Sequence, residues 1–202
     1  KTKLVRSILK HKCLNTVCEA ARCPNKAECY AKNTATFLIM GNICTRNCRF
    51  CNISGGTPQS IDPQEPLKVA QAIKELNLEY AVITSVTRDD LPLQGADCFR
   101  NVILETKKLC PSIKIEVLTP DFEGIRDLID IVADANPDVF NHNIETVRRL
   151  YPKARPLAKY HRSLDFLNHI KEKYPNMKTK SGLMVGLGET FDELKQTFFD
   201  LD

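Results

Sequence analysis

The stretch Ala35-Thr-Phe-Leu-Ile-Met-Gly-Asn-Ile43 is followed at once by Cys44-Thr-Arg-Asn-Cys48-Arg-Phe-Cys51. The apolar run within residues 35–43 has the length of a β-strand, far below the ~20 residues that a membrane-spanning helix requires. We therefore predict a buried strand that carries three cysteines on the loop at its carboxyl end.

Strand-like and helix-like segments alternate through the rest of the chain. Predicted strands cover 80–86, 113–118, 138–144 and 183–187, and predicted helices cover 66–78, 99–109, 124–135 and 163–174. A final helix begins at the capping box Thr190-Phe-Asp-Glu193. This alternation predicts an α/β fold on a parallel sheet. An open or partial (β/α) barrel of the TIM type fits best, because polar clusters follow the strand ends, where such barrels keep their active sites.

The first 34 residues differ from the rest, being basic, rich in cysteine and weakly periodic. We predict that residues 1–34 form an N-terminal extension held by its metal ligands rather than by a core, and that residues 35–202 form the partial barrel. Because the chain lacks an initiator Met and ends within a predicted helix, we expect it to be incomplete at the C-terminus.

Composition excludes several classes of protein. A content of 43% hydrophobic residues excludes disorder. The net charge of +4 is not concentrated in one block, so it does not indicate nucleic-acid binding, although it suits an acidic partner. No apolar segment predicts insertion in a membrane.

The nine cysteines are the unusual feature of the composition, and seven of them fall between Cys13 and Cys51. An odd number does not suit a closed disulfide framework, and the chain opens without a secretory leader. Clustered thiols in such a protein usually bind metal in a reducing compartment. We therefore expect metal-binding cysteines and a cytoplasmic location.

Cys44, Cys48 and Cys51 form a Cys-x3-Cys-x2-Cys motif. Three thiolates on a 4Fe–4S cluster leave one iron without a protein ligand, and an open position on a metal is typical of a catalytic site. A zinc site with three thiolates, or a ferredoxin-like cluster with its fourth cysteine elsewhere, remains an alternative.

Cys18, Cys23 and Cys29 form a second incomplete set, spaced Cys-x4-Cys-x5-Cys. These three thiolates could hold a second 4Fe–4S cluster. A zinc knuckle or reduced structural cysteines are the alternatives. Cys13, Cys98 and Cys110 belong to neither motif, and we interpret them as non-ligands.

The first motif, with Phe50 before its third cysteine, resembles that of the radical S-adenosylmethionine enzymes. The resemblance implies a cluster that binds S-adenosylmethionine and, given one electron, cleaves it to a 5′-deoxyadenosyl radical. With the second motif, in Thr16-Val-Cys-Glu19 and Ala21-Arg-Cys-Pro-Asn25, the chain resembles the lipoyl synthase family. Strand-end matches such as Phe140-Asn-His-Asn-Ile-Glu-Thr-Val147 extend this resemblance over nearly the whole chain.

The resemblance to lipoyl synthases implies a reaction and its partners. Two sulfur atoms are inserted at carbons six and eight of an octanoyl chain on a lysine of a lipoyl carrier domain or of the glycine cleavage H protein. The auxiliary cluster on Cys18, Cys23 and Cys29 would supply the sulfur, and a ferredoxin or flavodoxin would supply electrons. The family completes its auxiliary cluster with a serine near the C-terminus, which we expect to lie beyond Asp202.

The strand-end motifs supply candidate contacts for S-adenosylmethionine. Asn143 and Glu145, two residues apart, offer acceptors for ribose hydroxyls. Arg162 could bind the carboxylate through its guanidinium group. Thr87 and Arg88, followed by two aspartates, could lie near the cofactor or substrate. Ordinary rim residues with satisfied hydrogen bonds remain the alternative for each.

Three other functions compete with this interpretation. Another radical enzyme with two clusters should carry its auxiliary cysteines after the barrel rather than before it. An electron carrier with two clusters would leave the strand-end polar residues without a role. A zinc-binding interaction module would contain neither iron nor sulfide.

Overall fold

A computed structural model describes residues 2–20 and 23–202. Ala21 and Arg22, within the second cysteine motif, lie outside the described residues. The helices are α1 (Thr2–His11), α2 (Val17–Ala20), α3 (Lys26–Ala31), α4 (Glu65–Glu75), α5 (Ala96–Leu109), α6 (Arg126–Ala133), α7 (Tyr151–Ala154), α8 (Tyr160–Lys173) and α9 (Phe191–Leu201). The strands are β1 (Asn15–Thr16), β2 (Thr34–Ile39), β3 (Ile43–Cys44), β4 (Ser54–Gly55), β5 (Tyr80–Ser85), β6 (Lys114–Leu118), β7 (Val139–Asn141) and β8 (Lys178–Lys180).

The main sheet has the strand order β1-β2-β5-β6-β7-β8. Strands β2, β5, β6, β7 and β8 run parallel, and only β1 is antiparallel to its neighbour. Leu38, Thr84, Leu118, Asn141 and Lys180 lie side by side across the parallel strands. The carboxyl ends of these strands therefore meet at one edge, and the loops that follow them lie together.

The core lies between this sheet and the helices that connect its strands. Phe37, Ile83, Val117 and Phe140 occupy the row next to the one just described, and each is at most 1% exposed. They belong to one cluster with buried side chains of α4, α5, α6 and α8. Leu38 and Thr84 of the other row are also buried, and burial of both faces explains the continuous apolar runs from which these strands were predicted.

The alternation of strands and helices predicted from the sequence is confirmed, but several segments differ from their predicted bounds. The first strand ends at Ile39, because Met40 and Gly41 have φ of 67° and 92°. Helix α6 begins only at Arg126, after a 3₁₀ turn at Phe122–Gly124. The last strand lies at 178–180 rather than at 183–187. Its sequence, Lys-Thr-Lys, lacks the apolar run on which the prediction relied.

The N-terminal extension packs against the core, and the expectation that only its ligands hold it was wrong. Val5 and Leu9 of α1 are 2% and 5% exposed and join the main hydrophobic cluster, as does Tyr30 of α3. Strand β1 pairs with Phe37–Leu38 of β2. A domain boundary at 34/35 stays a prediction.

Across residues 2–20 and 23–202, the structure contains no helix that is both long enough and apolar enough to cross a membrane.

Replacing Leu9 with Ala should destabilise the protein even when it is prepared without iron, because the change leaves a cavity in the core. A loss of about 2 kcal/mol in the free energy of unfolding is expected from urea denaturation. Leu4→Ala is the matched control on the same helix, since Leu4 is 55% exposed. Equal stability of the two iron-free variants would show that α1 does not depend on the core.

Candidate active site

The first cysteine motif lies on the loop that leaves the carboxyl end of β2. This loop is tied to the loop after β5, since Thr45 donates its N–H and its hydroxyl to the carbonyl oxygen of Thr87, both at 3.0 Å. The amides of Arg46 and Thr87 point at the sulfur of Cys44 from 3.4 and 3.3 Å. These two contacts fix the position of the sulfur relative to both loops.

Arg46 connects the cysteine loop to two other strand ends. Its guanidinium group binds both carboxylate oxygens of Asp89 at 2.8 Å and one oxygen of Asp121 at 2.7 Å. Asp121 has no exposed surface, and its other oxygen accepts from Arg162 of α8 at 3.1 Å. Three loops and a helix therefore meet in one network of buried charges.

The charges in this network change the pKa of Asp121. Burial alone would raise the pKa of the carboxyl group, but the positive charge and hydrogen bond of Arg46, with the hydrogen bond from Arg162, lower it overall. Asp121 is therefore ionised at neutral pH and forms ion pairs with two arginines, of which Arg46 also binds Asp89.

Arg88, a predicted cofactor residue, is 2% exposed and binds Asp90 through two hydrogen bonds of 2.8 Å. A third N–H points at the carbonyl oxygen of Met40 from 3.5 Å. In this structure Arg88 holds the end of β2 to the loop after β5. A direct contact with a cofactor stays a prediction.

Asn143 and Glu145 lie together after β7, and the Asn143 amide donates to the Glu145 carboxylate at 3.1 Å. A tight turn rather than an extended segment brings them together, because Glu145 has φ of 64°. The backbone of Glu145 is fixed by hydrogen bonds with Gly182 and Met184, both 2.9 Å. Such a left-handed backbone at a glutamate marks a constrained and often functional position.

Because Gly182 has no side chain, the Asn143 side chain can occupy the space beside it. A Cβ atom at position 182 would lie 2.7 Å from the Asn143 Oδ1 atom, which is closer than real Cβ contacts come.

Burial raises the pKa of Glu145, while the Asn143 amide and the charge of Arg155 oppose that rise. The paired amide and carboxylate are therefore held at the edge of the sheet.

Arg155, which the sequence analysis did not select, lies beside these two residues. One Nη atom donates to the Asn143 carbonyl oxygen at 3.0 Å, and the guanidinium group stands 5.5 Å from the centre of the Tyr151 ring. Its Nε atom is buried without a hydrogen-bond partner among the described residues. Arg155 also contacts the predicted cluster ligand Cys48, where burial raises the pKa of the thiol and Arg155 lowers it.

The buried His142 is held in one tautomer between the end of β6 and helix α8. Burial lowers its pKa to about 4, so the imidazole ring is neutral. One nitrogen lies 2.9 Å from the carbonyl oxygen of Thr119 and the other 2.9 Å from the hydroxyl of Ser163. Since a carbonyl only accepts, the proton is on Nδ1 and the Ser163 hydroxyl donates to Nε2. His142 therefore has no free polar atom for a cofactor.

The second cysteine motif lies next to the first. Cys18 is buried on α2, and Cys23 and Cys29 are partly exposed. The amide of Asn52, the residue after Cys51, donates to the carbonyl oxygen of Ala20 at 2.7 Å. The contact joins the segment between Cys18 and Cys23 to the end of the first motif.

We tested whether these residues fit the clusters that the sequence suggests. Among the described residues, no three or more His, Cys, Asp or Glu side chains converge as ligands of a single metal ion. An iron–sulfur cluster takes one thiolate on each iron, so its cysteines stand apart. With two amides aimed at Cys44 and an Nε atom of Arg155 that has no partner among the described residues, the first site suits a cluster and a polar cofactor.

Similarity searches agree with this chemistry. The model of the Radical SAM superfamily matches residues 38–201. Solved structures with the same fold include methylornithine synthase, with a TM-score of 0.62 and 13% identity over 96% of this chain and 58% of that chain. Another is HydG, a maturase of FeFe-hydrogenase, with a TM-score of 0.61 and 15% identity over 100% of this chain and 44% of that one. The fold and site therefore define a radical SAM enzyme, with the predicted partial barrel.

Curated relatives with much higher sequence identity show which family within this superfamily the chain belongs to. The lipoyl synthase of Caldanaerobacter subterraneus subsp. tengcongensis is 55% identical over 98% of this chain and 69% of its own length. The lipoyl synthase of Rubrobacter xylanophilus is 56% identical over 93% of this chain and 59% of its own length. The chain belongs to the lipoyl synthase family and is a radical SAM sulfurtransferase. A different radical enzyme or an electron carrier is not favoured.

Asp121→Asn should cost about 3 kcal/mol of the free energy of unfolding at pH 7, because it removes a buried charge that two arginines share. Since the pKa of Asp121 is lowered by folding, its contribution is present above the unfolded-state pKa of about 4 and disappears as pH falls below it. The difference between wild type and variant, measured by urea denaturation of iron-free protein, should therefore shrink on acidification.

Glu19→Gln, which breaks the exposed pair with Arg6 at 2.9 Å, is the control for this experiment and should change stability far less. An Asp121→Asn difference that stays constant from pH 7 to pH 3 would contradict the role given to the charge.

Proposed function

We propose that the chain holds two 4Fe–4S clusters and inserts two sulfur atoms at carbons six and eight of a protein-bound octanoyl chain. The first cluster would be held by Cys44, Cys48 and Cys51, and the auxiliary cluster by Cys18, Cys23 and Cys29. The hydrogen bond from Asn52 to Ala20 carries this proposal, because it joins the two cysteine segments.

The first cluster would supply the electron that cleaves S-adenosylmethionine to a carbon radical able to remove hydrogen from a methylene group. The chain's own task is to bind and orient the cofactor. Asn143 and Glu145 would accept hydrogen bonds from the ribose hydroxyls. Both side chains are already held in place by the turn at Glu145 and by their mutual hydrogen bond, and the Asn143 side chain packs against Gly182.

Arg155 is better placed than Arg162 to bind the cofactor carboxylate. Arg162 already donates to the buried Asp121, whereas Arg155 keeps its Nε without a partner among the described residues. Arg155 also lies against Cys48 and Asn143, between the predicted cluster and ribose contacts. Thr87 would act through its amide on Cys44, and Arg88 through the position of its loop.

The partners belong to the same proposal. The substrate would be an octanoylated lipoyl carrier domain or glycine cleavage H protein, and the electron donor a ferredoxin or flavodoxin. The reduced cysteines, all nine of them free thiols, suit a cytoplasmic location.

Substitutions in the two cysteine motifs should affect different steps of the reaction, cofactor cleavage in one case and sulfur transfer in the other. Cys48→Ala should abolish release of 5′-deoxyadenosine under anaerobic reduction with S-adenosylmethionine. Cys23→Ala should preserve that release and stop sulfur transfer to an octanoylated carrier, because the donor of sulfur is lost. Chromatography of the nucleoside and mass spectrometry of the carrier measure the two results.

Cys110→Ala provides the matched control, because Cys110 lies at the end of α5, outside both motifs, and both reactions should persist. Lipoylation that survives Cys23→Ala would refute the sulfur-donor role. Iron and sulfide contents of each variant, measured in the same samples, show which cluster was lost.

Arg155→Gln should weaken binding of S-adenosylmethionine about tenfold or more, because a charge-assisted hydrogen bond to the carboxylate is lost. Equilibrium dialysis on reconstituted protein measures the dissociation constant. Arg100→Gln, on the exposed surface of α5, should leave it unchanged. If Arg162→Gln weakens binding more than Arg155→Gln does, Arg162 is the carboxylate ligand and our assignment is wrong.

A further inference from the structure

A hollow of about 160 Å³ lies beside the loop that carries the first cysteine motif. We call it the loop hollow, and its lining residues are Arg49, Phe50, Leu150, Lys153, Ala154 and Leu187. Arg49 and Phe50 are the two residues between Cys48 and Cys51, so the cysteine loop itself forms one wall. The other wall is α7 with the 3₁₀ turn before it, Arg148–Leu150.

Backbone contacts hold the two walls together. The amide of Arg49 donates to the carbonyl oxygen of Ala154 at 2.9 Å. Leu150 is buried, whereas Leu187 keeps 37% of its surface exposed. The loop hollow is therefore an apolar depression with fixed walls, of the kind that receives a side chain from a protein partner.

The rim of the loop hollow carries positive charge without compensation. Arg49, Lys153 and the neighbouring Arg148 are all exposed, and none has an ion-pair partner within the described part of the chain. Arg149 differs, because Glu193 binds it at 2.6 Å. Free cations around an apolar centre favour an acidic protein partner, which they attract over a distance and orient.

The position of the loop hollow indicates what such a partner delivers. Cys51 is the most exposed cysteine of the first motif, and Phe50 precedes it in the wall of the loop hollow. On the other side, Ala154 lines the loop hollow while the next residue, Arg155, is buried against Asn143. A partner seated there would approach the predicted cluster without entering the cofactor site.

We propose that the loop hollow is the docking surface for a small acidic redox protein that delivers one electron at a time to the first cluster. The inference rests on the proposed function. In each transfer the reduced donor is oxidised by one electron and the cluster is reduced by one electron, and no covalent bond forms or breaks in the docked complex.

Reversing the charge of the rim should slow reduction of the first cluster by a protein donor and leave its reduction by a small-molecule donor unchanged. Lys153→Glu and Arg148→Glu/Lys153→Glu are the variants, since neither position lies between cluster cysteines. With reduced flavodoxin as donor, release of 5′-deoxyadenosine at low salt should fall about tenfold or more, and the wild-type rate should fall as salt rises. With dithionite as donor, the rate should equal that of wild type.

Arg100→Glu/Lys108→Glu is the matched control, because both residues are exposed on α5, away from the loop hollow. It should leave both rates unchanged. Direct binding of oxidised flavodoxin to reconstituted protein, measured by biolayer interferometry under anaerobic conditions, gives a readout independent of activity. The Lys153→Glu dissociation constant should rise about tenfold there.

The outcomes separate this inference from the function on which it rests. If dithionite yields no 5′-deoxyadenosine with wild type, the proposed function fails. If dithionite drives cleavage while the charge-reversed variants bind and use flavodoxin as wild type does, the docking surface is wrong. Weaker binding of an octanoylated carrier domain to Lys153→Glu, with flavodoxin binding unchanged, would assign the loop hollow to the substrate and overturn the inference.

Discussion

The buried carboxylate of Asp121 holds the active edge of the sheet together. It lies between Arg46 of the cysteine loop and Arg162 of α8, and Arg46 also binds Asp89 after β5. A loop that carries three thiolates has little apolar surface of its own to bury, so packing alone would not fix it. Ion pairs that are buried away from water are strong and directional, but the loss of either partner leaves a buried charge unpaired and destabilises the protein. The cysteine loop therefore depends on residues far from it in the sequence.

Most of the fold was predictable from the sequence because its strands and helices bury apolar residues at regular spacing. Tyr80–Ser85 is an apolar run covered by helices, and Thr190 forms the capping box that the sequence predicts for α9. Strand β8 was misplaced, because Lys178-Thr-Lys180 takes its structure from pairing with β7 and not from its own composition. Helix α1 was missed, although Val5 and Leu9 lie on one face of it.

The site was predictable only where chemistry depends on spacing along the chain. The two cysteine motifs and the pair Asn143 and Glu145 could be selected from the sequence in this way, and the structure places the first motif and this pair at the same edge of the sheet. Their roles stay predictions. Arginines were harder to assign, because the role of an arginine depends on which carboxylate reaches it. Arg162 and Arg88 bind aspartates, while Arg155, in a segment without a motif, keeps a buried nitrogen without a partner in the described chain.

The position of Arg155 connects the cofactor site to the outer surface. The residue before it, Ala154, accepts the hydrogen bond from Arg49, so the cysteine loop and Arg155, the proposed carboxylate ligand, share one support in α7. Any shift of the loop that follows docking on its outer side would act on α7 and hence on Arg155. Such a shift is opposed by the attachment of α7 to the loop after β7. The buried Tyr151 donates its hydroxyl to the Ile144 carbonyl oxygen at 2.7 Å and fixes the helix there. An electron donor docked at the proposed surface would therefore bind and leave without displacing a cofactor bound at Arg155, as the proposed insertion of two sulfur atoms would require.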